Sequence, residues 1–145
     1  MNQFERPIAG RPHFDCITLG RMISIEDVDG LTDKELNLAI EDLSESLGML
    51  NARLDELSVL YGTPDQEDPV RYGRMRFKAR ALGVLHQRML SERGERTRDR
   101  KRKEAIAYEN TFIQVTKQLL DPEAFERIDS LTKNICKIGD HNGHL

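Results

Sequence analysis

Several sequence features that mark secreted, membrane-spanning or disulfide-bonded proteins are missing from this chain of 145 residues. It contains no tryptophan and only two cysteines, Cys16 and Cys136, which make no disulfide framework. No run of about 18 apolar residues occurs, so no helix is expected to span a membrane. Residues 1–10 lack the apolar stretch of a secretory signal. We therefore expect a cytoplasmic protein in a reducing environment.

Motifs of the common enzyme classes are missing as well. The sequence has no G-x-S-x-G, P-loop, G-x-G-x-x-G or H-E-x-x-H. Two groups, His13 with Cys16 and Cys136 with His141 and His144, hold enough nitrogen and sulfur for tetrahedral zinc if the termini meet. They lie 120 residues apart without a C-x2-C pair, so we expect no metal. The sequence predicts a non-enzymatic protein without cofactor or catalytic residues.

The strongest positive signal is a heptad pattern in the first third of the chain. Its apolar residues follow one another at alternating steps of four and three, which is the spacing of a buried helical seam. The flanking positions carry small polar residues, which favours a bundle of three or more helices over an isolated two-stranded coil. We predict that the protein self-associates through this seam, which consists of Leu36, Ile40, Leu43, Leu47, Leu50, Leu54, Leu57 and Tyr61.

The predicted fold is all-α: an antiparallel helical hairpin or coiled-coil bundle with two shorter C-terminal helices. We expect an N-terminal arm over residues 1–30, extended or paired as a β-ribbon at 16–25, with Gly20 and Arg21 at the centre of a type II′ turn. The bundle occupies 31–145. Its first helix spans 32–61, begins with a capping box of Thr32 and Glu35, and stops at Gly62.

Three further helices are predicted at 69–93, 103–120 and 122–138. Asp68 and Pro69 open the second helix, and the short connection before them makes the first two helices antiparallel neighbours. The segment 91–104 contains no apolar residue. The apolar pattern after it is out of phase with the pattern before it, which favours a break or register change within 94–102.

The net charge of −3 conceals two oppositely charged segments. Residues 24–69 contain 13 acidic and 2 basic residues, whereas residues 70–103 contain 13 basic and 3 acidic ones. Pairing within the hairpin accounts for part of this asymmetry. Seven basic residues crowd the end of the second segment, and we expect them to face outward and to contact an anionic partner: Arg93, Arg96, Arg98, Arg100, Lys101, Arg102 and Lys103.

These features suggest a helical protein that acts by binding another macromolecule, such as a phage-encoded regulator or inhibitor. Small capped hairpins with a separate arm are common in proteins of phages and mobile elements. The expected partners are further copies of the chain and a protein with an acidic surface, with no membrane. The alternative is a nucleic-acid-binding protein that uses residues 93–103.

Overall fold

The computed structural model describes residues 11–66 and 68–141, with side chains as far as Lys137. The sequence prediction for residues 1–10 lies outside this range. The described chain is mostly helical, with a two-stranded sheet at its start. The elements are β1 (His13–Cys16), β2 (Arg21–Ser24), a short 3-10 turn (Val28–Gly30), α1 (Asp33–Leu60), α2 (Pro69–Leu119) and α3 (Pro122–His141).

The chain divides into two compact units between Thr97 and Arg98. The sequence had predicted a boundary between residues 30 and 31, with the N-terminal arm separate from the helices. In the structure the hairpin belongs to the first unit, because its buried side chains share a core with α1 and α2. The boundary between units instead falls inside the charged part of α2.

Strands β1 and β2 form the predicted antiparallel hairpin, but its turn differs from the expected one. Cys16 pairs with Arg21 across the sheet, so the loop has the four residues 17–20. The Gly20 N–H donates to the Ile17 carbonyl at 3.2 Å, and Gly20 has a φ of +65°, which glycine adopts without steric cost. The type II′ turn centred on Gly20 and Arg21 is therefore wrong, since Arg21 already belongs to β2.

Helix α1 begins as the sequence predicts. The Glu35 N–H donates to the Thr32 hydroxyl at 3.2 Å, and the Thr32 N–H donates to the Glu35 carboxylate at 2.9 Å. This reciprocal pair satisfies two N–H groups that the first turn of a helix leaves free. Beyond the far end of α1, Gly62 has a φ of +79°, the left-handed conformation that commonly follows the last turn of a helix.

The core of the first unit lies between the β-hairpin and the helices. Three residues of the strands, Phe14, Cys16 and Ile23, are buried together with apolar residues of both helices. This packing provides the burial that an isolated two-stranded ribbon lacks. The other members of the core are Val28, Leu31, Leu36, Ala39, Ile40, Leu43, Leu82, Leu85 and Met89.

Two contacts near the ends of α1 show that α2 runs beside it in the opposite direction. Tyr61 and Tyr72 bring their ring centroids to 5.1 Å beside the connecting turn. At the other end, Arg96 contacts Asp33 at 2.9 Å. The antiparallel register predicted from the short connection agrees with both contacts.

The break predicted within 94–102 is absent, because α2 continues through this segment to Leu119. The described residues therefore form one helix where the sequence predicted two, and three α-helices where it predicted four. The segment contains no proline and one glycine, and its arginines, lysines and glutamates favour helix. Contacts at i,i+4 spacing, such as Arg96 with Glu92, add support along it. The apolar pattern changes register without interrupting the helix.

Candidate functional site

The predicted self-association seam is divided between buried and accessible positions. Leu36, Ile40 and Leu43 are buried in the core of the first unit. The next four seam residues are half-buried, and Tyr61 is 58% exposed. The first three belong to the core that the hairpin and both helices share, and Leu47 and Leu50 pack against it. The part of the seam from Leu54 onward is therefore the most available to another molecule.

The predicted basic site is divided in a similar way. Arg93 is exposed, but Arg96 is not, since only 25% of its side chain is accessible. The expectation that Arg96 faces outward is therefore wrong. The remaining five side chains are exposed on α2 of the second unit, and we call them the basic cluster: Arg98, Arg100, Lys101, Arg102 and Lys103.

The side chain of Arg96 links α2 by hydrogen bonds to residues 29–33, the segment that leads into α1. Its Nη1 donates to the Leu31 carbonyl at 2.7 Å and to the Asp33 carboxylate at 2.9 Å. Its Nη2 donates to the Asp29 carbonyl at 3.2 Å, and its Nε donates to Glu92 at 2.9 Å. The bond from Arg96 is the main reason why the pKa of Glu92 is lowered. The planar guanidinium suits this arrangement, because its five N–H groups point in fixed directions.

Asp42 fastens the β-hairpin to α1 and was not identified from the sequence. Its carboxylate accepts from the Thr18 N–H at 2.9 Å, from the Thr18 hydroxyl at 2.7 Å and from the Cys16 thiol at 3.2 Å. The bonds from Thr18 lower the pKa of Asp42, whereas burial raises the pKa of the Cys16 thiol. Because the partners lie 24 and 26 residues away, no local pattern pointed to this contact.

The second unit carries an uncovered apolar surface. No side chain between residues 98 and 137 is buried, and nine large apolar residues there are 45–80% exposed. Five apolar residues of α2 follow one another at alternating steps of three and four, which is the spacing of a helical seam. We call this row the α2 stripe: Ala105, Tyr108, Phe112, Val115 and Leu119. The exposed face of α3 includes Ile128, Leu131 and Ile135. The sequence predicted helices at 103–120 and 122–138 but did not identify these faces as a binding site.

The two His/Cys groups are not assembled into a metal site by the described residues. His13 and Cys16 lie on opposite faces of β1, with His13 exposed and Cys16 buried. Cys136 is exposed on α3, whereas His144 and the side chain of His141 lie outside the described part. Among the described residues, no group of three potential ligands is close enough to hold a metal ion.

Concave surfaces of the described chain include a depression of about 640 Å³ on α3, beside Glu123 and Leu131, and one of about 400 Å³ beside β2. The cavity beside the α1–α2 turn, lined by Leu57, Gln66 and Tyr72 among others, has a volume of about 10 Å³, which is room for about one water molecule.

Within the described residues, none of the helices has both the length and the apolar character needed to cross a membrane. No protein-family model, curated protein or solved structure matches this chain.

Proposed function

We propose that this chain is a non-enzymatic helical protein that works by binding other macromolecules, beginning with further copies of itself. The observation that carries the proposal is the uncovered apolar surface of the second unit. A monomeric protein rarely leaves a contiguous apolar surface of this kind exposed to water, and such surfaces commonly bind another protein.

The small amount of apolar packing within the second unit supports this proposal. Short helices are marginal in water by themselves, and most of their stability in proteins comes from packing an apolar face. In the second unit the Lys117 ammonium of α2 lies 5.1 Å from the centroid of the Phe125 ring of α3. This contact leaves the α2 stripe and the face of α3 open. Association into a helical bundle covers both.

The charged groups of the first unit support a binding role over a catalytic one. Asp42, Glu35 and Glu92 have lowered pKa values, and in each case the main cause is a hydrogen bond within the fold. A carboxylate held in its charged form by structural bonds is a poor general acid near neutral pH. These groups stabilise the hairpin and the start of α1.

Self-association is tested by measuring the mass of the full chain in solution by light scattering at micromolar to 100 μM concentrations. We expect a mass above the 16.7 kDa of one chain. The variant Phe112→Gln/Leu119→Gln removes two exposed apolar side chains while keeping residues that favour helix, and we expect it to be monomeric. The control is Phe77→Gln, since Phe77 is equally exposed but lies in the first unit. A monomeric mass for the unchanged chain would refute the proposal.

The second candidate function is nucleic-acid binding, and it is favoured by the exposure of the basic cluster. Five basic residues within six positions, with Asp99 as the only acidic one, give this turn and a half of α2 a net charge of +4. Phosphate contacts of this kind weaken steeply as salt increases, with a log–log slope of about −0.9 for each phosphate neutralised on duplex DNA. Titration of a fluorescent duplex at two salt concentrations tests this candidate.

A further inference from the structure

We infer that two copies of the chain associate antiparallel through the α2 stripe, so that the basic cluster of each copy meets the acidic start of α3 in the other. The inference rests on the proposed self-association and adds its surface, its direction and the partner of the basic cluster. The second copy is then the anionic partner that the basic cluster contacts.

The apolar spacing of the α2 stripe is compatible with both an antiparallel and a parallel pairing of two copies. Along the α2 stripe the steps are 3, 4, 3 and 4, and read from the other end they are 4, 3, 4 and 3. A seam of this kind is buried equally well when the second helix runs parallel or antiparallel. The direction of association must therefore be decided by the charged residues at the two ends of the stripe.

Those ends are oppositely charged. The basic cluster precedes the stripe and, with Asp99, has a net charge of +4. After the stripe, the segment 121–126 contains three acidic residues and no basic one, and we call them the acidic segment: Asp121, Glu123 and Glu126. All eight residues of the cluster and the segment are exposed. Each is therefore accessible to a second copy.

An antiparallel pairing brings these opposite charges together. When the pairing is centred near Thr111 and Phe112, the middle of the stripe, α2 of one copy ends at Leu119, opposite residues 104 and 105 of the other. The basic cluster of each copy then lies just beyond the end of the other copy's α2, next to the turn at residues 120 and 121 where the acidic segment begins. Twofold symmetry repeats the contact at the opposite end. A parallel pairing instead places the two basic clusters side by side, and like charges across an interface oppose association. The charge pattern thus selects the antiparallel direction.

The charge contact is tested with two reversed variants of the full chain, Lys101→Glu/Arg102→Glu and Glu123→Lys/Glu126→Lys. Lys101→Glu/Arg102→Glu changes the net charge of residues 98–103 from +4 to 0, and Glu123→Lys/Glu126→Lys changes that of residues 121–126 from −3 to +1. Each alone should self-associate about tenfold more weakly at low salt, because the attraction is lost at both ends. An equimolar mixture should form a heterodimer more tightly than either variant self-associates, because one end of the heterodimer still pairs a net charge of +4 with one of −3. Lys133→Glu/Lys137→Glu, on the later part of α3, is the matched control. Circular dichroism verifies that each variant keeps its helix.

The direction is tested by disulfide crosslinking in a Cys136→Ser background. In the antiparallel arrangement a chain with Glu104→Cys crosslinks to a chain with Gln118→Cys, whereas two copies of Glu104→Cys are separated by roughly 20 Å along the helix. In a parallel arrangement identical positions of the stripe itself crosslink instead, so two copies of Ala105→Cys would form a disulfide. Preferential crosslinking of identical positions would overturn the inference.

The possible results distinguish this inference from the proposed function. A monomeric unchanged chain refutes both. A dimer that is unaffected by either reversal refutes the inference and leaves self-association standing. If the unchanged chain binds duplex DNA, and Lys101→Glu/Arg102→Glu abolishes that binding without changing the dimer, the basic cluster serves nucleic acid and the inference is again overturned.

Discussion

Replacing Arg96 by alanine is expected to destabilise the first unit substantially. The change removes the bonds to the carbonyls of Leu31 and Asp29 and the contact with Glu92. Each of these three contributes about 1 kcal/mol, the typical net value of a hydrogen bond in a folded protein. The Asp33 carboxylate is 76% exposed, so its ion pair with Arg96 adds little. We expect the free energy of unfolding to fall by about 2–3 kcal/mol.

Urea unfolding followed by circular dichroism measures this effect. With a typical dependence of about 2 kcal/mol per molar urea, the midpoint should fall by about 1–1.5 M. Arg93→Ala is the matched control, because it removes an exposed arginine one turn earlier on the same helix and should change the free energy by less than about 0.5 kcal/mol. Equal decreases in the free energy of unfolding for the two substitutions would refute the assignment of Arg96 as the residue that links α2 to the start of α1.

Three further predictions concern the first unit and the two thiols. Asp42→Ala should lower the free energy of unfolding by about 1–3 kcal/mol, because it leaves the Thr18 N–H without its acceptor, whereas Glu41→Ala at the exposed neighbouring position should change it by less than about 0.5 kcal/mol; urea unfolding compares them. Asp42 and Glu92 have lowered pKa values in the folded chain, so their contribution is complete above their unfolded pKa values of about 4. It should be lost as the pH falls through the lower folded values, and a stability that stays constant between pH 5 and pH 2.5 would contradict this. A thiol reagent at pH 8 should modify one cysteine per native chain, the exposed Cys136, because Cys16 is buried and its pKa is raised; Cys136→Ser should then react only when unfolded.

Local patterns predicted the starting points of α1, α2 and α3 to within one residue, whereas the separate helix predicted at 103–120 is part of α2. Thr32 and Glu35 form the predicted capping box, and α3 begins at the predicted residue, Pro122. Both features depend on residues within one turn of each other, so a single stretch of sequence contains the necessary information. The β-hairpin was predicted for the same reason, although the predicted two-residue turn at Gly20 and Arg21 is a four-residue loop over 17–20 in the structure.

Contacts between distant segments could not be predicted in this way. The apolar phase shift before Ala105 indicated a break, because the sequence alone does not reveal that the two parts of α2 belong to different compact units. Arg96 looked like one of seven equivalent basic residues, since its bonds to the Asp29 and Leu31 carbonyls span more than sixty positions. The antiparallel arrangement of α1 and α2 brings Arg96 close to Asp33, but the backbone acceptors beside Asp33 carry no sequence signal.

The core of the first unit includes residues that are synthesised late, and this determines when the unit can fold on the ribosome. The core combines residues 14–43 with Leu82, Leu85 and Met89. A nascent chain that has emerged only as far as the α1–α2 turn therefore exposes the hairpin and α1 without the helix that covers them. Because domains fold as units when their parts become available, we expect this one to remain open to chaperones and proteases until residue 97 has left the ribosome. Stalled nascent chains of increasing length should thus become protease-resistant in a single step, after Arg96 has emerged.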